Sequence, residues 1–130
     1  MPTILSALTT IYSADIARAV DFYGRVLGFE ETYRFPCDGE PEHVEFRVGS
    51  ATIAVSSPAG LRSHGLPSAT PGHPFEIGLE TGDVDAAVKE LRASGVTIIK
   101  EPSISSAGNR YAYIADSDGT WISLYQNLRD

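Results

Sequence analysis

The chain has a single cysteine, Cys37, in 130 residues. It can form no internal disulfide, and it offers no cysteine pair at metal-ligand spacing. Flanked by Pro36 and Asp38 with no evident partner base, it reads as incidental rather than nucleophilic. Basic residues are also scarce. Ten Lys and Arg stand against 17 Asp and Glu, giving a net charge of −7. Nucleic-acid binding needs a basic face, so that partner class is excluded. Long apolar runs are missing as well, and MPTILSALTTIY has no basic n-region. The expectation is no signal peptide, no membrane span and a cytoplasmic protein.

What the chain does have is a duplication. Residues 12–28 read YSADIARAVDFYGRVLG and residues 80–95 read ETGDVDAAVKELRASG. Each copy places an Asp before an amphipathic, small-residue stretch that a Gly ends. Each then runs into β-rich sequence. A period this long marks a duplicated module rather than a solenoid.

Periodicity supplies the elements. Residues 5–12 alternate as a strand, Asp15 caps a helix carrying Ile16, Val20, Tyr23 and Leu27, and Gly28 ends it. Strands follow at 29–35, 43–48 and 51–56, the last two joined by Gly49 and Ser50. Residues 57–74 are rich in Pro, Gly and Ser, show no sustained pattern, and read as a linker. The second copy has strands at 75–80, 96–100, 110–115 and 120–126 and a helix from Asp83 to Gly95. Its final turn, Asp116 to Gly119, is built from turn formers. The predicted fold is α+β in a single domain. Two tandem βαβββ modules, about 4–56 and 75–127, form a curled mixed sheet around a cleft, with the helices on its outer face.

The motifs DFYGRVLGF, DVDAAVKELRASGV and YIADSDGTWISLYQ, in that order, resemble the vicinal oxygen chelate superfamily. That group includes glyoxalase I, extradiol dioxygenases, fosfomycin-resistance enzymes and bleomycin-resistance binding proteins, so the resemblance specifies fold better than function. Enzymes of the family hold a divalent ion with His, Gln or Glu at symmetric strand positions. The resemblance places the first at Leu8, seven residues before Asp15. It places the second at Pro74, with His73 adjacent, and the third at Ser123. A fourth falls in ATIAVS, which contains no carboxylate. Leu and Pro have no donor atom and a lone Ser is a poor ligand, so no metal and no other cofactor is expected. A rescue through His73 with Glu45 or Glu76 would need a register shift. His43 and His64 read as ordinary exposed histidines.

Strand parity then assigns the walls of a pocket. The candidate ligand-binding residues are Trp121, Tyr113, Tyr111, Glu76, Arg47, Glu45, Thr10, Thr52 and Ser123, and no residue is assigned a catalytic role. Resemblance to fosfomycin-resistance proteins makes Tyr113, Thr10 and Thr52 substrate-facing. The aromatic residues suit a planar ligand, and the carboxylates suit a cationic group on it. The expected function is metal-free binding of a small aromatic molecule, cationic or not, such as antibiotic or metabolite sequestration. The alternatives are a metal-dependent lyase, dioxygenase or thiol transferase with an atypical ligand set, and a metal-free acid–base enzyme using Glu76 or Tyr113. The resemblance further implies a homodimer.

Overall fold

The computed structural model of the protein describes residue 3, residues 5–64, residue 66, residues 75–105 and residues 108–128. The chain divides into two compact units, Met1–Thr70 and Pro71–Asp130. Each contains one four-stranded mixed sheet.

In the first unit, β1 (Thr9–Tyr12) leads into α1 (Ile16–Asp21), followed by β2 (Glu30–Phe35), β3 (His43–Val48) and β4 (Ala51–Ser56). The strand order is β1-β4-β3-β2. β1 lies parallel to β4, and the other pairs are antiparallel. The Asp15 carboxylate accepts the Arg18 N–H at 3.2 Å, which satisfies one of the free donors at the start of α1. Ile16, Ala19, Phe22 and Tyr23 are buried with Ile11, Val44, Phe46, Ile53 and Val55, so the helix covers one face of the sheet.

That helix is not uniform. Residues Phe22–Val26 wind as a π-helical turn, and the Leu27 N–H donates to the Phe22 carbonyl at 3.0 Å. Gly28 stands thirteen positions after Asp15, whereas Gly95 stands twelve after Asp83. The wide turn absorbs the extra residue, keeping Phe22 and Tyr23 both in the core while Gly28 ends the helix at φ +76°.

Residues 58–63, read from sequence as linker, form the short helix α2 (Pro58–Ser63). The local signals are Ser57, whose hydroxyl accepts the Gly60 N–H at 3.1 Å, and Pro58 in the first turn. Buried Leu61 anchors it.

The second unit has β5 (Ile77–Glu80), α3 (Val84–Ala93), β6 (Thr97–Ile104), β7 (Asn109–Ala115) and β8 (Trp121–Asn127). Its order is β5-β8-β7-β6, the same plan, with β5 parallel to β8. Asp83 caps α3 by accepting the Ala86 N–H at 3.0 Å, and the Gln126 side chain accepts the Val84 N–H at 3.1 Å. Val84, Val88 and Leu91 are buried with Ala112, Ile114, Ile122 and Leu124. Pro102 is tolerated because β6 is an edge strand with shifted register. In the final turn the Asp116 carboxylate accepts the Asp118 and Thr120 N–H groups at 2.9 and 2.7 Å, which gives it the turn-forming role expected of it.

Candidate functional site

Helix packing takes one face of each sheet, and the chemistry lies on the other. In the second sheet Gly78, Ser123, Tyr113 and Lys100 are neighbours across four strands. Glu80, Tyr125, Tyr111 and Ser103 form the adjacent row. Tyr111 and Tyr113 are therefore directly opposite Tyr125 and Ser123 on a common face, as parity predicts. A Cβ on Gly78 would sit 3.4 Å from the Ser123 hydroxyl and 3.5 Å from the Tyr125 ring, so the bare glycine leaves room beside both.

Two polar partnerships organise this face. The Tyr113 hydroxyl donates to Glu76, 3.1 and 3.2 Å from its two carboxylate oxygens. Partial burial, followed by the hydrogen bond and charge of Glu76, holds the Tyr113 phenol above its ordinary pKa. At neutral pH Tyr113 is thus a donor, not a base. The Tyr111 ring meets Tyr113 edge-on at 6.0 Å, and the Lys100 ammonium lies 5.7 Å from its centroid. Sequence reasoning missed Lys100. Its opposite register to Tyr113 comes after a bulge in β6 that no periodicity reveals. Trp121 opens β8 and is 40% exposed.

In the first sheet Thr52, Glu45 and Thr10 do share the face away from the helix. Thr10 pairs with Ala54, Ala54 with Glu45, and Thr52 with Arg47. Arg47 is 64% exposed, with its guanidinium 3.9 Å from Glu30. Glu45 is engaged by His43, so the reading of His43 as an ordinary exposed histidine is wrong. His43 Nε2 lies 2.9 Å from the Glu45 carboxylate and Nδ1 lies 2.8 Å from the Ser56 hydroxyl, and the imidazole is half-buried. His64 is exposed, with Nδ1 donating to the Gly60 carbonyl at 2.8 Å. Cys37 is free and exposed.

The duplication also corrects one assigned position. Pro74 and His73 lie outside the described residues. The Ser13 N–H donates to the Ser56 carbonyl just as the Thr81 N–H donates to the Tyr125 carbonyl. With Ser13 equivalent to Thr81, the counterpart of Leu8 is Glu76, each seven residues ahead of its capping Asp, and not Pro74. Ala54, beside Thr10, corresponds to Ser123, beside Gly78. The four matched positions are then Leu8, Ala54, Glu76 and Ser123. They offer one carboxylate and one hydroxyl, and that carboxylate already accepts the Tyr113 hydrogen bond. A transition metal or Mg²⁺ site needs more donors than this. Among the described residues, no three His, Cys, Asp or Glu side chains gather into another such set. The donor set does not fit the family's ion.

Two βαβββ modules with identical mixed strand order and helices on one face define a duplicated α+β fold class. Residues 6–124 match the family model of the glyoxalase/bleomycin resistance protein/dioxygenase superfamily, and the chain belongs to that superfamily. It is 30% identical to an uncharacterized protein of Mycobacterium bovis over 120 residues, covering 89% of this chain and 79% of the relative. An uncharacterized protein of Mycolicibacterium smegmatis is also 30% identical, over 94% and 93% of the two chains. Among solved structures, a glyoxalase/bleomycin resistance protein/dioxygenase family enzyme from Burkholderia phytofirmans superposes with a TM-score of 0.80 at 23% identity, covering 93% and 97% of the two chains. A superfamily member from Sphaerobacter thermophilus gives 0.74 at 27% identity over 95% and 98%. None of the helices described is long and apolar enough to cross a membrane.

Proposed function

We propose that this superfamily member binds a small planar aromatic molecule, with or without a cationic group, and does so without a metal. The observation that carries the reading is the open face of β5–β8. There Ser123 and Tyr125 border the space beside Gly78, Tyr113 is the cross-strand partner of Ser123, and the Tyr113 hydroxyl holds the Glu76 carboxylate on that face. Aromatic walls with one or two fixed polar groups are the usual make-up of a small-molecule site. Tyr111 already carries Lys100 over its ring, and the proposed stacking surfaces for the ligand are Trp121, 40% exposed at the start of β8, and Tyr125. Among the described residues Glu76 accepts the Tyr113 hydroxyl, and a carboxylate with one such partner retains acceptor capacity for a ligand ammonium or guanidinium group. The mechanism is reversible capture, with no bond made or broken, by a cytoplasmic homodimer.

The test joins metal analysis of untagged protein to a thermal-shift screen of aromatic and cationic compounds. The expected result is far less than one divalent ion per chain, with hits whose stabilisation survives a chelator. An equimolar transition metal, with binding abolished by the chelator, would overturn the reading in favour of a metalloenzyme.

A further inference from the structure

The first sheet carries a second constellation that ligand capture does not use. His43 and Glu45 are two residues apart on β3 and so share a face, and Ser56 is the direct cross-strand partner of His43 on β4. The three side chains form one chain of hydrogen bonds: Ser56 Oγ to His43 Nδ1 at 2.8 Å, and His43 Nε2 to Glu45 Oε2 at 2.9 Å. Proton positions follow from the chemistry of the groups. An ionised carboxylate can only accept, so the Nε2 proton is the one donated to Glu45. In the neutral imidazole Nδ1 is then the acceptor, and it faces the Ser56 hydroxyl. The order is nucleophile, base, orienting carboxylate, the arrangement that activates a serine.

The surroundings suit a small acyl group. Ser56 is buried, at 9% exposure, while the His43 and Glu45 side chains beside it are each 27% exposed, so the group is shielded from bulk water and approached from the His43 side. Tyr12 is the neighbour of Ser56 on β1, and the Tyr33 ring meets His43 edge-on at 6.2 Å. Both tyrosines are exposed and flank the chain of groups.

We propose that Ser56, with His43 as its base and Glu45 as a positioning residue, is a nucleophilic site that takes acyl groups from small activated esters. Ser56 Oγ adds to the ester carbonyl carbon while its proton passes to His43 Nδ1. The C–O bond to the alcohol then breaks, and the departing oxygen takes that proton. Water repeats the sequence on the acyl-serine and releases the carboxylic acid, with no change of oxidation state.

The test uses the wild-type protein first. It is incubated with a fluorophosphonate, and separately with p-nitrophenyl acetate, and peptide mass spectrometry locates any adduct. The expected result is one phosphonyl or acetyl group on Ser56. Ester turnover should fall at least about tenfold in Ser56→Ala, and His43→Ala should slow Ser56 labelling about a hundredfold or more. Glu45→Ala should slow it too, with partial rescue in Glu45→Gln, whose carbonyl can still accept the Nε2 proton. Wild-type protein unlabelled at Ser56 would overturn the proposal without any variant having to fold. Equal labelling rates in wild type and a folded His43→Ala would do the same.

Discussion

Gly60 supplies a test in which helix propensity and tertiary structure predict opposite signs. Replacing a helical Gly by Ala favours folding by about 1 kcal/mol. Gly60 lies within α2, so helix propensity alone expects Gly60→Ala to stabilise. In the folded protein the new Cβ would stand 2.7 Å from the Glu42 carbonyl oxygen, closer than real Cβ atoms approach backbone oxygen. That carbonyl is not free to retreat, because it accepts the Ser57 N–H at 3.0 Å. Relieving the overlap costs about 1–3 kcal/mol, and stretching the hydrogen bond costs about 1 kcal/mol more. Set against the propensity gain, the net effect is a loss of about 1–3 kcal/mol, a fall in Tm of about 4–11 °C for a chain of this size. Urea and thermal unfolding followed by circular dichroism measure it. Gly82→Ala is the control, since no atom lies within 4 Å of its Cβ, and it should be neutral or stabilising by less than about 1 kcal/mol. A Gly60→Ala protein as stable as wild type would refute the argument. Because α2 begins two residues after Ser56, the same variant should also disturb the His43–Ser56 hydrogen bond, visible as a shift of the His43 imidazole resonances.

Two further outcomes are expected. The raised pKa of Tyr113 means that the folded state holds the phenolic proton more tightly than the unfolded chain. The stabilisation is fully present below the unfolded value of about 10 and disappears as pH rises through the folded one. Tyr113→Phe should therefore be slightly less stable than wild type at pH 8, by under about 1 kcal/mol, and the gap should close in urea titrations above pH 10. A gap unchanged with pH would separate Tyr113 from Glu76. Trp121→Ala should weaken any ligand found in the thermal-shift screen at least about tenfold with the fold intact, as measured by calorimetry. An unchanged dissociation constant would remove Trp121 from the site.

The local features of the chain were legible in its residues because they depend on near neighbours. Asp15 and Asp83 cap helices through a donor three residues on, and Gly28 and Gly95 end those helices with positive φ. Alternation separated Val44 and Phe46, which face the helix, from Glu45 and Arg47, which do not. The duplication announced the two modules, and the structure gives both the same mixed strand order.

Tertiary structure decided which of those side chains meet. His43 reaches Ser56 only because β3 and β4 pair in one register, and a slip of one residue would turn either side chain to the opposite face. Glu76 meets Tyr113 across 37 residues of sequence, and Lys100 reaches Tyr111 past a bulge. The equivalence of Leu8 with Glu76 is, by contrast, a matter of counting seven residues back from each capping Asp, and the hydrogen bond that closes each module agrees with it. Sequence by itself determined the repeated strands, the two Asp-capped helices and their faces, since those follow from periodicity and capping within a few residues, but not α2, which it read as linker. Partnership across strands is settled by register, which the packing of a whole module sets, and both candidate sites of this protein are made of such partnerships.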